Sequence, residues 1–140
     1  MKKILTVILV LTASFCFIAS SAQQAGKKPS YIFESGTNGY NTFRIPAILA
    51  LKSGVLIAFA EGRKNTSSDT GDIDLVMKRS EDGGKTWSDL QLIWDDDENV
   101  CGNPAPVQDR RSGKIFLLST WNLGSDHEPQ IIKQLSKDTR

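Results

Sequence analysis

Arg44 lies where an arginine is hard to accommodate, between Phe43 and Ile45 and two residues before Pro46, at the head of an apolar stretch. A guanidinium in that setting is unfavourable unless it meets an anion or a wet cavity. Its fork of N–H donors suits a carboxylate, which can accept two parallel charge-assisted hydrogen bonds. The bland counterpart is an arginine snorkelling from a sheet edge or bonding a nearby loop. A polar loop at 61–71 follows, carrying Arg63 and Asp69. Next comes a turn, Ser80-x-Asp82-x-Gly84-x-Thr86-Trp87. Its carboxylate and hydroxyls can bond amides that a tight bend leaves unpaired, its glycines permit positive φ, and Trp87 can pack beneath it. This turn marks a fold and is not an active site.

The elements that must hold these residues read as strands. Residues 31–34 can form one, ahead of a Ser-Gly-Thr-Asn-Gly turn cluster at 35–39. The spacing predicts strands over 44–51 and 55–60, joined by a hairpin turn at 52–54. The second is apolar nearly throughout, as a strand buried on both faces should be. Two more follow at 72–80 and 91–94, on either side of the Ser80–Trp87 turn. The pattern then restarts, with a proline-marked strand at 103–107, a tight turn at 110–113 and an apolar strand at 114–120. A polar loop at 122–129 leads to a further strand at 130–135. Four short antiparallel strands per unit, repeated about one and a half times, fit the blades of a β-propeller. A propeller closes with about four to eight blades, so the chain is expected to be the N-terminal part of a longer protein. A small complete β-sandwich fits less well, because the last unit breaks off without its own turn signature.

The Phe43-Arg44-Ile45-Pro46 segment, 36 residues ahead of the Ser80 turn, resembles the sialidase (neuraminidase) family, and the turn matches the Asp box of such propellers. The resemblance covers nearly all of 31–140. It implies an all-β fold, a six-bladed β-propeller with only the first one to two blades in this chain. It also implies an exo-α-sialidase that hydrolyses terminal sialic acids with retention of configuration, using no metal and no organic cofactor. Arg44 matches an arginine of the triad that clamps the sialic acid carboxylate. Arg63 matches a second substrate-binding arginine, near the sugar 4-hydroxyl. Asp69 matches the general acid/base, which must protonate the leaving glycosidic oxygen. Asp69 could instead cap a turn, and Asp72 and Asp74 are rival carboxylates that look structural. Asn103 opens the second unit where Arg44 opens the first, and resembles a segment contacting the N-acetyl side of the sugar. The structural Asp box comprises Ser80, Asp82, Gly84, Thr86 and Trp87. Trp121 reads as packing and His127, the lone histidine, as a solvated loop residue. The family's nucleophilic tyrosine, its activating glutamate and two further arginines normally lie in later blades, and Tyr31 and Tyr40 stand in the wrong place to serve.

Two readings from other classes remain: a non-catalytic sialic-acid-binding propeller of lectin or adhesin type, and a structural Asp-box propeller for protein–protein contacts. Residues 1–22 read as a signal peptide, with Lys2 and Lys3 before an apolar run of about 15 residues and small residues at 20–22. That run is short of the roughly 18–20 residues that span a bilayer, so export to the periplasm or medium is expected, without stable membrane insertion. Residues 23–30 read as a linker. Of 17 Lys+Arg, loss of Lys2 and Lys3 leaves 15 against 16 Asp+Glu, which offers no basic face for nucleic acid. Cys101 is then the single thiol, so neither a disulfide nor a metal-ligand spacing supports the fold. The partner implied is a sialylated glycan.

Overall fold

The computed structural model describes residues 30–138, so the leader expected at 1–22 and nearly all of the linker at 23–30 lie outside the described residues. Four strands run as consecutive antiparallel neighbours: β1 (Thr42–Ala50), β2 (Leu56–Arg63), β3 (Ile73–Ser80) and β4 (Gln91–Trp94). A second antiparallel pair, β5 (Val100–Gln108) and β6 (Ile115–Asn122), joins them through a parallel bridge from Val100 to Ile73. A short helix, α1 (Glu128–Ile132), follows. Two blades, one of four strands and one of two, thus meet along β3 and β5.

Side-chain alternation on β2 sorts the interior into two faces. Ala60 and Gly62 face Tyr40, which with Val76 forms a cluster ringed by Phe33, Phe43 and Leu90. Gly62 is required there, because a Cβ would stand 2.7 Å from the Tyr40 ring. Phe59, Glu61 and Arg63 share the opposite face, level with Leu75 and Ile73 of β3. Ile73, Leu75, Val100 and Cys101 are all buried where β3 meets β5. Each large apolar side chain buried in this way contributes about 1.5–3 kcal/mol.

Four expectations about elements are corrected. Residues 31–34 form bends, not a strand, and Phe33 packs its ring 5.4 Å from that of Phe43 in place of a ladder. β2 runs three residues beyond 60, so Glu61 and Arg63 are strand residues and not loop residues. β6 takes up 115–120 of the expected 114–120 and runs on to 122, but none of its residues is buried, as the last strand on the sheet path with no strand on its outer edge among the described residues. Residues 130–135 do not form a strand. Pro129 in the first turn, with the His127 amide donating to Oε1 of Gln130 at 2.6 Å, starts a helix there instead.

Candidate active site

Arg44 pairs across the ladder with Glu61, and Thr42 with Arg63, so Arg44, Glu61 and Arg63 point from one face of the sheet. Immediately after Arg44 the register breaks: Ile45 and Pro46 face a single residue of β2 before pairing resumes at Ala47 and Phe59. Ile45 adopts φ +50° in this bulge, a costly conformation for a β-branched residue. Bulges of this kind re-aim side chains next to binding sites. The second blade repeats the device: Gly102 pairs with Thr120, Asn103 and Pro104 bulge, and pairing resumes at Ala105 with Leu118. Asn103 has φ +51°. Residue by residue, Asn103 therefore stands where Ile45 stands in the first blade, and Gly102 where Arg44 stands.

The residues singled out from sequence meet at a cleft of about 640 Å³ between the blades, within the ordinary range for small-molecule sites. Arg63, Asp69 and Asn103 line it, and Arg44 reaches it through Asp69. The Arg44 side chain is half exposed and places Nη1 3.0 Å from Oδ1 of Asp69. Arg63 is buried and fully engaged. Its Nε and Nη2 donate to Oε2 of Glu61 at 3.1 and 2.6 Å, and its Nη1 donates to the carbonyls of Ser67 and Ser68, each at 2.7 Å. Nη2 also pairs with Oδ1 of Asp69 at 2.7 Å. The guanidinium thus folds the 64–72 loop back over the end of β2. Asp69 itself is 76% exposed, and its pKa lies below the usual carboxylate value, held down chiefly by the hydrogen bond from Arg63 and further by the charge of Arg44. In the ligand-free site it is ionised at neutral pH.

Asn103 exposes its side chain and donates from Nδ2 to Oγ1 of Thr120 at 2.8 Å, while its backbone N–H donates to Oε1 of Glu61 at 3.0 Å. His127 is exposed at the start of α1 and lines the same cleft. Trp121 lies elsewhere, donating from Nε1 to Oδ2 of Asp96 at 2.7 Å. The residues of the Ser80–Trp87 turn do not line the cleft.

Two site residues escaped the sequence reading. Glu61 was assigned to a polar loop, although Glu61 and Arg63, two apart on an extended chain, must share a face. Continuing the alternation of the apolar run by three residues places Glu61 on the strand, on the same face as Arg63. Asp126, read as loop, is buried in the cleft wall with Oδ2 lacking a hydrogen-bond partner. No sequence signal pointed to it.

No family model matches the chain. It is similar to an exo-alpha-sialidase of Aspergillus fumigatus, 38% identical over 90 residues that make up 60% of this chain and 22% of that protein. It is also similar to a sialidase of Clostridium perfringens, 40% identical over 103 residues, or 68% of this chain and 26% of the relative. Among solved structures, the Hadza microbial sialidase Hz136 superposes with a TM-score of 0.59 at 29% identity, over 66% of this chain and 20% of that one. The chain spans about a fifth to a quarter of the length of these two relatives. The two sets of strands are accordingly part of a sialidase-type β-propeller.

Proposed function

Since the chain belongs to the sialidase family, we propose that the protein it spans part of is an exported exo-α-sialidase. It would hydrolyse terminal sialic acids from glycoproteins, glycolipids and oligosaccharides with retention of configuration. The observation that carries this reading is the ion pair of Arg44 with Asp69 at the cleft, which brings an anion clamp and a carboxyl group into one place. Arg44 binds the sugar carboxylate, Arg63 holds the loop beside the ring, Asn103 contacts the N-acetyl side, and Asp69 protonates the departing oxygen.

The resting ion pairs leave Asp69 in the wrong protonation state for an acid. An exchange of partners resolves this. The carboxylate of the substrate takes Arg44, and Asp69 loses one neighbouring cation. The bound sugar then shields it from water, and both changes raise its pKa. The same resting geometry also fits a non-catalytic sialic-acid-binding propeller, in which Asp69 stays ionised.

Aryl sialosides with good and poor leaving groups separate these readings in the full-length protein. Asp69→Asn should lower kcat on a poor leaving group by about 10²–10⁴ and affect a leaving group that needs no proton far less. Arg44→Lys should raise KM, since a lysine cannot offer the two-pronged bond. Binding of sialic acid without turnover of either sialoside would favour the non-catalytic reading. Unchanged binding in Arg44→Ala would favour a purely structural propeller.

A further inference from the structure

We propose that Glu61 is the positioning residue of this cleft, one buried carboxylate that sets the Arg63–Asp69 pair on the first blade and the backbone of Asn103 on the second. Its kinetic consequence rests on the sialidase reading, and its geometry does not. The Glu61 side chain is only 4% exposed, so its charge must be matched where it stands. Oε2 takes two hydrogen bonds from Arg63. With the guanidinium plane fixed in this way, the remaining donors aim at Ser67, Ser68 and Asp69, and the 64–72 loop is set. Oε1 accepts the N–H of Asn103. That amide belongs to the β5 bulge, where the ladder to β6 is interrupted, and a bulged N–H needs an acceptor from elsewhere.

Gly102 gives an independent mark of the same contact. A Cβ there would stand 2.5 Å from Oε1 of Glu61 and 3.2 Å from its Cδ. Gly102 is not among the residues with positive φ, so the backbone does not call for glycine. The missing side chain makes room for the Glu61 carboxylate. Glu61 also lines the cleft itself. It acts through Arg63 on the loop that carries Asp69, and through the Asn103 amide on the opposite wall.

The test uses the full-length protein with Glu61→Gln, Gly102→Ala and the double variant. Four quantities are measured: kcat and KM on an aryl sialoside, the rate of tryptic cleavage after Lys64 under native conditions, and the melting temperature. Glu61→Gln keeps the shape and removes the charge, so the loop should be cleaved several-fold faster. Misplacing Asp69 should lower kcat by about 10- to 100-fold, with KM moving less. Gly102→Ala should shift the same quantities in the same direction by crowding the same carboxylate. Because both substitutions break one contact, the double variant should be no worse than the more damaging single. Fully additive losses, or cleavage and kcat within about twofold of the parent in Glu61→Gln, would overturn the proposal. If Glu61→Gln fails to fold, Gly102→Ala carries the same comparison. If the parent turns over no sialoside, the sialidase reading falls and the cleavage rates alone decide: faster cleavage in both variants upholds the positioning role, and unchanged cleavage removes it.

Discussion

Tyr40 places its hydroxyl 2.6 Å from Oδ2 of Asp74, on the sheet face opposite the cleft, where both residues are buried. Asp72, Asp74 and Asp95 crowd there within the reach of a metal ion, yet Lys64 brings its ammonium to 3.0, 3.3 and 3.6 Å from them and supplies the cation itself. Burial raises the pKa of Asp74, and burial with the bond to Asp74 raises that of Tyr40 well above the ordinary phenol value. Tyr40→Phe leaves a buried carboxylate short of a donor and should cost about 1–3 kcal/mol, read from urea unfolding of the full-length protein. A folded-state pKa above the unfolded one adds stability that is complete below the unfolded value and is lost as pH rises past it. The parent should therefore lose stability above about pH 10, and the Phe variant should lose less. An identical alkaline slope in the two proteins would show that the hydroxyl is not buried against Asp74.

The turn between β3 and β4 makes the corresponding case for an element. Oδ1 of Asp82 accepts the amides of Lys85 and Thr86, both at 2.9 Å, and Oδ2 accepts the Thr86 hydroxyl at 2.6 Å. Ser80 donates to Oδ1 of Asp82 at 2.8 Å and accepts the Gly84 amide at 2.8 Å, with Gly83 and Gly84 at positive φ. The hydroxyl and amide of Thr86, with the other donors, hold the Asp82 carboxyl well below its usual range. A lowered pKa contributes stability above the unfolded value, about 3.9, that is lost as pH falls through the folded one. Asp82→Asn should lower the melting temperature at neutral pH and flatten its fall below about pH 4. Equal acid slopes in parent and variant would count against this account.

Such a turn was legible because its chemistry is local: every donor and acceptor lies within Ser80–Thr86. The strands 44–51, 55–60, 72–80 and 91–94 were legible for the same reason, since alternation and turn residues fix them. The strand at Glu61 and Arg63 was not, because two charges argue for a loop until the fold shows them paired with each other, with the Asn103 amide of the second blade completing the carboxylate's hydrogen bonds. The end of the described chain misled in the opposite direction: Ile131 and Ile132 read as strand, but Pro129 and the His127–Gln130 bond start a helix.

At the scale of the whole molecule, β2 and most of β3 are buried, while β4 and β6 leave apolar side chains uncovered. On β6, Phe116 is 54% and Leu118 63% exposed, and Ile115, Leu92 and Ile93 add further uncovered surface. β6 also presents an outer edge with no strand paired to it among the described residues. An apolar face joined to an open edge is the combination that recruits further strands. In a sialidase-type propeller the neighbours of such a strand are the next strands of its own blade and the adjoining blade, and this chain spans about a fifth of the length of its A. fumigatus relative. Expressed alone, these 140 residues should therefore associate or precipitate. Light scattering coupled to size-exclusion chromatography should find oligomers or aggregate at micromolar concentration, while Phe116→Lys with Leu118→Lys should shift the population toward monomer. A monomeric parent with one sharp, reversible melt would mean that the exposed face is stable in water. The stacking of blades would then add less to the fold than the burial along β3 and β5.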